Sequence, residues 1–118
     1  VICMAVGLTP TTELFWQADA KMLYCPQLCG HVPFRDHTMR TSHPDIWVAG
    51  DASGIEEASA AMVEGRIAGF SAAKALGLNV KEGSFKEYWT RLDHLRAGEV
   101  GAKVRGGICQ VLVDGWEA

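Results

Sequence analysis

The chain has 118 residues, 48% of them hydrophobic, and its 11 Lys and Arg against 14 Asp and Glu give a formal charge of -3. This content suits one modest core in a single domain, and without a basic block nucleic acid is not an expected partner. No run approaches the ~18 apolar residues of a membrane span and no signal-peptide pattern opens the chain, so no membrane partner and a cytoplasmic location are expected.

In chain order, Val1 to Val6 reads as a short buried strand that "GLTP" breaks. The chain opens inside that apolar run, without an initiating Met, as a piece of a longer polypeptide would. Thr11 or Thr12 can cap a short helix from Glu13 to Ala18. From Met22 to Arg40, Pro26, Gly30 and Pro33 interrupt short extended pieces, which predicts an irregular hairpin. Ile46 to Ala49 reads as a second buried strand. A helix is expected from Ile55 to Leu76, closed by Gly77. Ala58, Ala61, Gly65, Ala68 and Ala72 would share one face of it, and Ser53 with Glu56 fits a capping box at its start. Residues 78–83 form a linker. Beyond it Ser84 and Glu87 repeat the capping-box spacing, and Phe85, Tyr88, Trp89, Leu92 and Leu95 make the apolar stripe of a second helix ending near Gly98. The remainder, "EVGAKVRGGICQVLVDGWEA", is compatible with either a weak helix or a strand.

Several polar residues invite a chemical reading. Cys3, Cys25, Cys29 and Cys109 are expected to be free thiols, given the absence of a secretion signal. Cys25 and Cys29 with His31, His37 and His43 lack a standard metal-ligand spacing, so a small metal or thiol protein is a weak alternative. The three histidines, which nothing in sequence pairs with a nucleophile, read as solvated loop residues. Trp47 reads as core, whereas Trp89 could serve the core or a partner surface. The most informative stretch is "DIWVAGDASGIEEASAAMVEGRIAG". An apolar run ending in Gly50-Asp51 before a helix start offers close backbone approach, a carboxylate for hydroxyls and free N–H groups for negative charge, although Gly-Asp is equally common as a plain turn.

"MRTSHPDIWVAGDASGIEEASAAMVEGRIAG" resembles the second flavin-binding motif of the two-dinucleotide-domain FAD/NAD(P) oxidoreductases, the pyridine nucleotide-disulfide oxidoreductase superfamily. "VICMAVGLTPTTELF", with Ala5, Gly7 and Pro10, is similar to the segment that closes the NAD(P)-binding domain in the same family. Within it, the wording is most similar to the sarcosine oxidase alpha, dye-linked proline dehydrogenase alpha and hydrogen cyanide synthase flavoprotein subunits.

The resemblance implies an α/β fold, a partial Rossmann-like FAD/NAD(P)-binding region over residues 1–77 with a mainly helical extension over 84–118. It implies FAD as cofactor with NAD(P) possible, Gly50 and Asp51 at the ribityl and phosphate part, Ser59 and Ala60 near the flavin ring, and Gly7 in the first motif. It assigns no catalytic residue. The G-x-G-x-x-G loops of the family are absent, so the nucleotide-binding loops are expected upstream in the same polypeptide. An amine or amino-acid substrate and a separate amine-oxidising partner subunit are implied for the parent enzyme. The alternative is a non-catalytic assembly module that completes a partner subunit or self-associates through an open sheet edge.

Overall fold

Proline and glycine cut the first third of the chain into short pieces, and a computed structural model, describing residues 1–116, has the expected hairpin there. Helix α1 (Glu13–Gln17) leads into strands β1 (Met22–Cys25) and β2 (Gly30–Pro33), paired antiparallel from Met22↔Pro33 to Cys25↔Gly30. A 3-10 turn over Pro26–Leu28 joins them, with Pro26 at its start and Cys29 left-handed at its end. Strand β3 (Arg35–Asp36) follows directly. The next loop folds back on itself: Asp36 Oδ1 accepts from the backbone N–H and hydroxyl of Thr38 and from Arg40 N–H. Such side-chain mimicry of a backbone turn is what aspartate does well.

Helix α2 (Ala58–Ala75) ends in a Schellman arrangement, with Leu78 N–H donating to Ala73 O and Gly77 N–H to Lys74 O while Gly77 takes φ +77°. Only glycine adopts that conformation without penalty, so Gly77 stops the helix as expected. Helices α3 (Glu82–Leu95) and α4 (Gly98–Val111) complete the order with strand β4 (Leu112–Val113), which pairs in parallel with β3, Arg35 opposite Leu112 and Asp36 opposite Val113. The stretch left open between helix and strand is thus a helix that ends in a short strand.

Two apolar clusters hold these elements. Cys25, Leu28, Val32, Ile108 and Val111 join the hairpin to α4. Met39, Ala60, Val63, Ile67 and Leu92 join α2 to α3, with Phe85, Tyr88, Trp89 and Leu95 of the expected stripe packed around them. Burying one such large side chain stabilises by about 1.5–3 kcal/mol. Trp89 lies in this second cluster with its ring edge-on to His37.

Four expectations are corrected. Val1 to Val6 is not a buried strand: residues 1–10 have no regular structure, and Val1, Ile2, Met4 and Val6 are exposed, no described strand lying beside them to satisfy their backbone. Ile46 to Ala49 is extended, but it contributes only an isolated antiparallel bridge, Arg40↔Trp47, because it doubles back on Met39 and Thr41. Neither capping box forms: the N-cap positions are Glu57 and Lys81, without side-chain caps. The small-residue face of α2 is not its packed face, since Ala58 and Gly65 are exposed while Ala60, Val63, Glu64 and Ile67 are buried. Residues 117 and 118 of the expected extension lie outside the described residues.

Candidate functional site around the Gly50-Asp51 turn

Between the extended Ile46–Ala49 segment and α2, residues Gly50–Ser53 form a 3-10 turn. Gly50 has φ +70°, and a Cβ there would lie 3.6 Å from the Ala61 Cβ on the first turn of α2. Glycine is favoured there by the backbone conformation rather than by crowding. At the other end of the turn Gly54, φ +138°, sits against Leu28, whose Cδ2 would be 2.8 Å from an added Cβ, and Leu28 O accepts from Ile55 N–H. The hairpin therefore braces the segment that enters α2.

What fixes the turn internally is Glu64, fully buried on the second turn of α2. Its Oε2 accepts from Gly50 N–H at 2.9 Å and from the Ser53 hydroxyl, while Ser53 Oγ also lies 2.9 Å from Gly50 O. Its Oε1 accepts from Arg96 at 2.6 Å and from Arg35 at 3.4 Å, and Arg35 donates in addition to Ser53 O at 2.9 Å. Arg96 closes the network by donating through Nη2 and Nε to Glu56. Two guanidiniums and two carboxylates thus share a nearly dry space with their charges balanced. Burial pushes the Arg35 guanidinium below its ordinary value, with Glu64 opposing. Burial also opposes the charge of Arg96, but the hydrogen bonds it donates to Glu56 and the charges of Glu64 and Glu56 prevail and hold it above its ordinary value. Both arginines stay charged in any case.

Against this rigid base, Asp51 is exposed, and among the described residues its carboxylate makes no hydrogen bond or ion pair. Its acceptor capacity is therefore available to a ligand. Ser59 is exposed on the first turn of α2. Ala60 is wholly buried in the second apolar cluster, its N–H donated to Glu57 O, so it presents no side-chain surface to a ligand. Gly7, φ +79°, lies in the exposed N-terminal segment with nothing within 4 Å of an added Cβ, and the structure does not gather it with the other four. A cleft of about 430 Å³ opens beside the segment entering α2, lined by Ile55, Glu56 and Glu57 and by Arg96, Val100 and Lys103 across from them. A larger one, about 500 Å³, lies at the far end of α2 between Trp47, Phe70 and Phe85 and shares no residue with the turn.

The chain matches the pyridine nucleotide-disulphide oxidoreductase family over residues 1–65, a span that holds both the N-terminal segment and the Gly50-Asp51 turn. It belongs to that family. Members are flavoprotein oxidoreductases dependent on FAD and NAD(P). The chain is 40% identical over 72 residues to an opine oxidase subunit from Rhizobium meliloti, and 38% identical over 72 residues to its counterpart from Agrobacterium tumefaciens (strain Ach5). Each match covers 61% of this chain and 14% of the relative, so the chain spans about one-seventh of those proteins' length. No solved structure matches it.

Glu64, Arg35 and Arg96, which tie this family segment together, were not singled out from sequence. Glu64 carried a signal: it falls with Ala60, Val63 and Ile67 on one helical face, a lone charge among apolar neighbours. Arg35 and Arg96 carried none, since their partners come from distant parts of the chain. Of the thiols, Cys25 is buried with its Sγ directed at Gly107 O and Gln27, while Cys3, Cys29 and Cys109 are exposed; all four are free. The histidines are divided as well: His31 and His37 are exposed and His43 is half-buried. Among the described residues no helix is long and apolar enough to cross a membrane.

Proposed function

We propose that this chain is the ribityl-binding part of an FAD-dependent oxidoreductase that acts on an amine or amino-acid-derived substrate. The observation that carries the reading is the exposed Asp51 carboxylate, without a partner among the described residues, on a turn held from behind by Glu64 and placed, within the matched family segment, at the entry to a helix. The residues present fit such a group. Gly50 keeps the backbone uncovered, Asp51 supplies two acceptor oxygens for hydroxyls, exposed Ser59 adds a hydroxyl, and the N-terminal end of α2 favours negative charge nearby. Ala60, buried in the second apolar cluster, offers no side chain to the cofactor. FAD, when bound, supplies the electron-accepting chemistry; the protein's part is to hold and orient it.

The amine or amino-acid substrate rests on the two opine oxidase relatives and on the sarcosine-oxidase-like wording around Gly50-Asp51. By the same likeness the cofactor-binding region is Rossmann-like, the rest of the nucleotide cradle belongs to the upstream part of the polypeptide, NAD(P) is a second candidate nucleotide, and an amine-oxidising subunit is the natural partner. The direct test is FAD titration of the complete polypeptide beside Asp51→Ala. A variant that retains FAD as tightly as the wild type refutes the role of Asp51.

A second reading has its own support. Val1, Ile2, Met4, Val6 and Leu8 are all exposed, an apolar run that pairing with another chain would cover. On that reading the chain is an assembly module, and it self-associates. Sedimentation showing a concentration-independent monomer sinks it.

A further inference from the structure

A residue outside the family match reaches the two carboxylates behind the Gly50-Asp51 turn. Arg96 lies at the junction between α3 and α4, beyond the matched residues 1–65. The residue is 5% exposed, and its side chain reaches back to grip both Glu56, in the segment entering α2, and Glu64, the carboxylate that holds Gly50 N–H and the Ser53 hydroxyl. The junction itself is pinned from both sides: Arg96 N–H donates to Leu92 O in α3, and Arg105 of α4 donates to Arg96 O. A buried carboxylate with one guanidinium removed has one less reason to sit where it does, and Glu64 would be free to turn from the Gly50 amide toward Arg35. We propose that Arg96 is a positioning residue for the cofactor-binding turn, acting through Glu64 and Glu56, so that the helical C-terminal extension is part of the flavin site and not an appendage to it. The flavin half of this proposal rests on the ribityl-binding reading of Asp51; the half that concerns the turn does not.

The planar fork of Arg96 is what lets it serve two carboxylates at once, Nε and Nη2 to Glu56 and Nη2 to Glu64. A lysine, with the same charge but no fork, can reach only one of them well. The complete polypeptide is therefore compared with its Arg96→Gln, Arg96→Lys and Lys74→Gln variants. Lys74 makes an exposed ion pair with Glu82 that also bridges α2 and α3, far from the turn, and so controls for general loosening of that helix pair. Two quantities are read: FAD affinity by fluorescence quenching, and hydrogen exchange of the peptide that contains Gly50 to Gly54.

Arg96→Gln is expected to weaken FAD binding by at least about tenfold, the scale for losing a group that orients a ligand-holding residue, and to speed exchange at the Gly50 amide. Arg96→Lys should recover part of both effects, and Lys74→Gln should show neither. Wild-type affinity and exchange in both Arg96 variants overturns the proposal, as does an equal effect from Lys74→Gln. Should Arg96→Gln not fold, the Arg96→Lys variant decides by the same two readings. If Asp51→Ala leaves FAD binding intact, the ribityl reading fails by itself; unchanged Gly50 exchange in the Arg96 variants removes the positioning role whatever the fate of the flavin.

Discussion

Replacing Glu64 by Gln tests the network at its centre. Glutamine keeps the size and shape of the side chain but removes one negative charge from a site where two carboxylates balance two guanidiniums, leaving a net positive charge in a space from which water is nearly excluded. The Glu64 carboxylate accepts from four donors: Gly50 N–H, the Ser53 hydroxyl, Arg96 and Arg35. A glutamine has one carbonyl oxygen to accept with and turns its amide N–H groups toward one pair of those donors. Removing one partner of a buried, hydrogen-bonded ion pair costs about 3–5 kcal/mol, because the remaining charge stays buried without compensation. Against the roughly 5–15 kcal/mol that holds a domain together, this is a large share. At about 4 °C per kcal/mol for a chain of this size, the melting temperature should fall by roughly 12–20 °C. Urea denaturation followed by tryptophan fluorescence is a suitable assay, since Trp47 and Trp89 both pack against the α2–α3 cluster. Combining the change with Arg96→Met should be clearly less than additive, because the second change removes one of the charges that the first left stranded. A Glu64→Gln chain within about 1 kcal/mol of the wild type would mean that the network does not hold the turn as described.

Other outcomes follow from single contacts. Gly54→Ala places a Cβ 2.8 Å from Leu28 at a backbone conformation that L-residues rarely adopt, so it should destabilise by about 1–3 kcal/mol in the same urea titration; a neutral result would refute the bracing of the turn by the hairpin. Asp51→Ala, by contrast, should change stability by less than about 0.5 kcal/mol, since the side chain has no protein partner among the described residues. With a thiol reagent, Cys3, Cys29 and Cys109 should react quickly and Cys25 only on unfolding; four equally fast thiols would contradict the packing of the first cluster. Lys74 holds the exposed Glu82 carboxyl below its ordinary value, chiefly by a hydrogen bond. A lowered carboxylate favours the folded state above the unfolded pKa, near 4.3, and loses that contribution as pH falls through the folded value. Any stability difference between the wild type and Glu82→Gln should therefore be full above the unfolded pKa, fade as pH falls through the lower folded value, and be small, as for exposed pairs in general.

What could be read from the sequence was whatever depends on near neighbours along the chain. Pro26 and Gly30 announced the hairpin, Gly77 the end of α2, and the Phe85-to-Leu95 stripe the packed face of α3. The capping-box spacings were a false lead for an instructive reason. Ser53 and Glu56 are both recruited by buried charges, Glu64 and Arg96 respectively, and helix α2 starts beyond them at Ala58. Val1 to Val6 has the composition of a strand, but composition does not supply a neighbour to pair with. For the stretch that forms α4, the glycines left helix and strand both open; at Gly107 a Cβ would lie 2.8 Å from the Leu28 Cγ, a contact no local pattern reveals. At the candidate site, Gly50 and Asp51 were legible from motif and the supports behind them were not, since Arg35, Glu64 and Arg96 meet only once three separate segments have folded.

The pairing of β3 with β4 has a consequence for the order in which this molecule is made. Arg35 lies opposite Leu112, and Cys25, Leu28 and Val32 complete their apolar cluster only with Ile108 and Val111. During synthesis the hairpin leaves the ribosome well before those partners exist, whereas α2 and α3 are consecutive and can dock as soon as both are out. The α2–α3 pair should therefore acquire structure first, and the hairpin side should wait for nearly the last turn of α4, because distant contacts carry a larger loop-closure entropy than adjacent ones. A nascent chain stalled short of residue 108 would display Leu28 and Val32 to whatever apolar surface it meets, a hazard that chaperones commonly meet in chains of high contact order.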